Sequence, residues 1–123
     1  MKIVATISRY LLGLIFLAFG LNGFLHFIHM PPPTGLAAQF AGAIFESHLY
    51  VVIFGLQVLV AVMLLVNRYV PLALTLLGPI IFNILCFHAF LAPAGLPLAF
   101  VVTVLWFVVF SSVRSAFAGI FQP

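Results

Sequence analysis

The sequence predicts an all-α integral membrane protein: a four-helix transmembrane bundle with both termini cytoplasmic. Three observations predict it. Hydrophobic residues fill 67% of the 123 positions and charged residues 4%, a balance that no water-facing domain of this length sustains. Four apolar stretches are long enough to cross a bilayer, and proline, glycine or charge separates each from the next. All four basic residues, Lys2, Arg9, Arg68 and Arg114, fall on one side once those stretches alternate in direction. The spans and their connections use up the length, so a single domain, residues 1–123, is expected.

The first span is expected over residues 3–29, about 20 residues at roughly 1.5 Å each being enough to cross the hydrocarbon. On a helical wheel Arg9 and Gly20 lie within about 40° of Gly13, while Asn22, His26 and His29 lie about 160–220° away. One face therefore offers a glycine seam for close helix packing, and the other offers polar groups near one end. A basic opening before an apolar run is also how a signal peptide begins. This run is too long, and no small-x-small site precedes the prolines, so a retained span is expected.

Pro31, Pro32 and Pro33 stop that span, because proline lacks the N–H a helix needs. An outer loop over residues 30–47 follows. Leu36, Phe40 and Ile44 recur at four-residue spacing within it, as in a short helix lying at the membrane interface. The second span, residues 48–66, carries Gln57 at its middle. Asn67-Arg68-Tyr69 makes a tight turn, and Pro71 suits the first turn of the third span, residues 70–91. Gly78-Pro79 predicts a kink there. Ala92-Pro93-Ala94-Gly95 turns the chain into the fourth span, residues 96–110, and a short tail carries Arg114.

The positive-inside rule puts the basic end in the cytoplasm. Spread through the sequence, these residues make no basic run, and a nucleic-acid partner is not expected. A single cysteine, Cys86, excludes an internal disulfide and a paired-cysteine redox motif. The other titratable groups collect toward the far end: His26, His29, Glu46, His48 and His88. Counted along helices at about 1.5 Å per residue, His26 lies roughly 26 Å from Arg9, and His88 roughly 30 Å from Arg68. Asn22, Gln57 and Asn83 come out at roughly 20, 16 and 22 Å, an uncharged polar layer on three helices.

Asn22, His26, Gln57, Asn83 and His88 are the candidate cofactor-binding residues. Hydrogen bonds between helices explain the amides, and residence at the membrane boundary explains the histidines. Convergence on a ligand such as a quinone is the functional alternative. Haem would need two axial histidines on facing helices. It is disfavoured, because His88 lies about 140° from Asn83 on its helix. Zinc would need three or four ligands from His26, His29, Glu46 and His48, which follow no recognised spacing, and no metal is expected. Catalytic residues are unassigned: no nucleotide loop, nucleophile–base pair or carboxylate dyad is present, and Glu46 is the only acid. Trp106, about 12 Å in from Arg114, lies deeper than an aromatic belt and needs an internal partner for its indole N–H.

The pattern resembles the DoxX family of small four-helix bacterial membrane proteins. Arg9-x-x-x-Gly13-x-x-Phe16-x-x-x-Gly20 in the first span carries the resemblance. The extended outer loop, the basic turn Asn67-Arg68-Tyr69 before Pro71 and the Trp106-bearing fourth span agree in layout. The resemblance implies a multi-pass protein of the bacterial inner (cytoplasmic) membrane. In some relatives it implies membership of a thiosulfate:quinone oxidoreductase or another thiol-stress complex. It supplies no catalytic residues, and the lone Cys86 departs from relatives that work by cysteine chemistry.

Two functions are expected from these readings. One is a membrane subunit that helps bind quinone, or docks partners, in an electron-transfer complex, its partners being the bilayer and other membrane subunits. The other is a non-catalytic structural or assembly subunit. Neither is expected to be an enzyme on its own. A standalone transporter is disfavoured by the small size and the absence of an obvious repeat or charged pathway.

Overall fold

The computed structural model describes residues 2–120 and 122–123. These form five α-helices and no strand: α1 (Lys2–Leu25), α2 (Gly35–Glu46), α3 (Leu49–Leu65), α4 (Val70–Phe90) and α5 (Leu96–Val113). Short 3-10 turns, Pro93–Gly95 and Arg114–Phe117, flank α5. Three helical stretches among the described residues, based on α1, α4 and α5, are long and apolar enough to cross a membrane. The pair α2 and α3 is bent by 88° and makes a fourth if taken as one span. This fits a multi-pass membrane protein. At 17 residues, α3 alone is about 26 Å long, the lower limit for a span.

Helix α1 packs along α3 and against α5, and α4 packs against α5 and α3. Leu12, Phe16, Val60, Ala61, Leu64, Leu74 and Leu77 form the centre of the shared core. The expected glycine seam is present. A β-carbon on Gly13 would lie 2.9 Å from Leu65 Cδ2, and one on Gly20 2.9 Å from Val58 Cγ2. Gly23 extends the seam, since its β-carbon would fall 2.2 Å from Phe54 Cγ. Real contacts are never that short, so the three glycines set how closely α1 approaches α3.

Helix α1 ends sooner than its sequence predicts. It stops at Leu25, not at the prolines, because His26 adopts a left-handed conformation with φ 52°. The side-chain Oδ1 of Asn22 then accepts the Ile28 N–H at 2.7 Å, satisfying a backbone group beyond the helix end. The connection from α1 to α3 contains the short helix α2, as expected, and the left-handed His48, φ 66°, makes the corner into α3. At the other end of α3, Asn67 takes φ 57°. Arg68 N–H bonds Met63 O at 3.0 Å and Asn67 N–H bonds Leu64 O at 3.3 Å, the paired closure of a Schellman motif. Pro71 sits in the first turn of α4, as expected. Helix α5 runs three residues beyond the expected boundary at residue 110, to Val113.

Candidate functional site

Most residues of the expected polar layer are bonded locally or exposed. Asn22 is half-buried, and its carbonyl oxygen is used on Ile28 N–H. Asn83 is exposed on α4, where its Nδ2 donates to Pro79 O of the same helix at 2.9 Å. His88 Nδ1 lies 3.0 Å from Ala92 O, and its ring fills the space beside Gly95, where a β-carbon would fall 2.1 Å from Cε1. His26 is exposed, with its ring 5.6 Å from that of Phe45. Only Gln57 is buried, at 6% exposure, on the same stripe of α3 as Val60, Ala61 and Leu64. Its stem lies under Gly20. Local bonds to the chain's own backbone, rather than bonds between helices, account for both asparagines.

Of the zinc candidates, His26, His29, Glu46 and His48 are all exposed. No group of three or more His, Cys, Asp or Glu able to hold a metal occurs among the described residues. Cys86 is half-buried on α4. His48 and Tyr50 instead join an aromatic cluster with Phe24, Phe45 and Phe54, which welds the start of α3 to the ends of α1 and α2.

Two concavities among the described residues bear on function. The first is an apolar groove between α4 and α5, about 230 Å³, lined by Gly78, Ile81, Phe82, Leu85, Thr103, Trp106 and Phe107. Its polar groups are already committed: Trp106 Nε1 donates to Leu74 O at 3.0 Å, and Thr103 Oγ1 to Ala99 O at 2.7 Å. Such a groove accepts a hydrocarbon chain or an isoprenoid tail but offers no free donor to a head group.

The second is polar. A cleft of about 200 Å³ at the basic end is lined by Lys2, Ala5, Thr6, Arg9, Asn67, Val70, Ser112 and Val113. Helix α1 supplies the first four at spacings of three and four, which is one helical face. The α3–α4 turn and the end of α5 supply the rest. Arg68 and Arg114 adjoin lining residues in sequence, so the fold gathers at one end all four basic residues that are scattered in the chain. Arg9 is half-buried, donates to the Leu64 carbonyl at the end of α3, and carries its guanidinium 4.5 Å from the Tyr10 ring centroid. A cation at that point also complements the negative end of the α3 dipole.

No protein-family profile, curated protein sequence or solved structure matches this chain. The resemblance to DoxX therefore rests on the residues quoted above.

Sequence reasoning assigned the basic residues to topology and missed the cleft. A signal was there in part, since Lys2, Thr6 and Arg9 stand at i, i+4 and i+7. Asn67 and Ser112 join them only through tertiary packing.

Proposed function

We propose that the chain is a small accessory subunit of a membrane electron-transfer complex, a quinone-linked oxidoreductase of the bacterial inner membrane. It would cross the membrane as a four-helix bundle with both termini cytoplasmic, docking partners without catalysing a reaction itself. The observation that carries the accessory role is the use of Asn22, Asn83 and His88 within their own local stretches. Polar groups spent in this way hold a backbone together and leave no convergent set for chemistry. The resemblance to DoxX supplies the class of complex. Phe82, Phe100, Val104 and Phe107, all well exposed, supply apolar surface for lipid or for a neighbouring subunit.

A second reading, a direct part in holding quinone, is favoured by the groove between α4 and α5. There the chain would hold the tail, and a partner subunit would have to supply the head-group contacts.

Purification of the full chain in mild detergent tests both. Mass spectrometry of what accompanies it, with a visible spectrum, should show redox-active membrane partners. Under the accessory reading, His26→Phe leaves partner yield and turnover unchanged. Isolation of the chain alone, from gently solubilised membranes, counts against it. Retained quinone that is lost on Gly78→Leu, which fills the groove, would favour the second reading.

A further inference from the structure

We propose that the basic-end cleft binds a phosphate group, presented by an anionic phospholipid or by free phosphate. Lys2 and Arg9 bring two cations to one concave surface, and Thr6 and Asn67 add neutral hydrogen-bond donors. Among the described residues, no hydrogen bond occupies the side chains of Lys2, Thr6 or Asn67. Arg9 spends one N–H on Leu64 O, and a guanidinium carries five, so it can serve the helix end and an anion together. Ser112 donates its hydroxyl to Val109 O at 2.6 Å and gives shape rather than a bond.

No acid competes. Glu46 is the only acidic side chain in the sequence, and it lies at the end of α2, beside the start of α3. The cleft adjoins the opposite end of α3, about 26 Å away. A phosphate placed here therefore meets positive charge that no acidic side chain neutralises. The volume, about 200 Å³, far exceeds the about 10–15 Å³ that one water needs, so a tetrahedral oxyanion can enter. The setting suits a lipid as the source. The cleft opens between helices at the end that carries every basic side chain, which is where basic pockets meet acidic head groups at a membrane surface.

The test uses native mass spectrometry of the full chain in detergent, titrated with phosphatidylglycerol, with phosphatidylcholine, or with inorganic phosphate. Phosphatidylglycerol should be retained in preference to phosphatidylcholine. Lys2→Gln should weaken that retention about fivefold, the usual effect of one basic residue near an anionic surface, and Lys2→Arg should restore it. Lys2 is the informative position because Arg9 also holds α1 to α3, so its loss could disturb the fold. Thr6→Val is a second variant that leaves both cations in place and should reduce retention more weakly. Inorganic phosphate bound in place of lipid, and released by Lys2→Gln, would keep the site and assign it to a solute. Equal retention of the two lipids without phosphate binding, or retention untouched by both Lys2→Gln and Thr6→Val, overturns the proposal.

Discussion

The indole N–H of Trp106 donates to the carbonyl of Leu74, 3.0 Å away on the neighbouring helix. Leu74 sits one residue before Thr75, whose carbonyl has no N–H to receive from Pro79. The tryptophan therefore fastens α5 to α4 beside the weak point of the α4 ladder. Its ring stacks on Phe110, with centroids 5.3 Å apart, which holds the donor in place.

Trp106→Phe keeps an aromatic ring and removes the donor. It should cost about 0.5–1.5 kcal/mol, the ordinary worth of one hydrogen bond. Thermal unfolding in a single detergent measures this, and unchanged stability would show that the bond contributes nothing.

Alanine substitution along α1 should rank by clearance. Gly23→Ala meets the Phe54 ring at 2.2 Å, and Gly13→Ala meets Leu65 at 2.9 Å. Overpacking of this kind commonly costs about 1–3 kcal/mol, with Gly23 the worse of the two. Gly55, with nothing within 4 Å, is the control, and alanine there should stabilise α3 by up to about 1 kcal/mol. Equal melting temperatures across the set would remove the seam from the account.

Arg9→Gln removes the charged donor from Leu64 O and the cation from the end of α3. A loss of about 1.5–3 kcal/mol is expected, as for hydrogen bonds made by charged groups. Arg9→Lys should recover part of it. Chemical denaturation of the two variants beside the parent decides the matter, and an undisturbed Arg9→Gln would mean that the contact is idle.

Reporter fusions after Thr34 and after Pro123 should report opposite compartments, the second of them cytoplasmic. The clustering of the basic residues at one end motivates this expectation. A periplasmic signal from the C-terminal fusion would invert the topology.

Much of the helical layout can be read directly from residues. The wheel positions of Gly13 and Gly20 foretell a packing seam, though not that α3 is its partner, and the depth of Trp106 foretells an internal partner. Asn67-Arg68-Tyr69 reads correctly as the turn into α4. The end of α1 shows where such reading falls short. Pro31 looks like the stop, yet Asn22 and a left-handed His26 end the helix earlier, since a short amide side chain can serve the backbone as well as another helix. The same competition withdrew Asn83 from the polar layer. Sequence depth places side chains at a level in the membrane but not around the helix, and Asn83 is on the outer face. The basic cleft was half legible: one stripe of α1 announces it, while Asn67 and Ser112 reach it only by folding.

The corner at His48 has a consequence for the surrounding bilayer. Because α2 departs from α3 at 88°, α3 has no further turns to offer a thicker membrane. At 17 residues it spans about 26 Å, against about 30 Å of hydrocarbon in an ordinary bilayer. The helices packed against it, α1 at 24 residues and α4 at 21, are longer, so the shortfall is set by α3 on that side. A bilayer crossed by α3 alone would thin beside it, at a cost of a fraction of a kcal/mol per Å. The protein should gather in thinner bilayers, and vesicles graded by acyl-chain length would rank its preference.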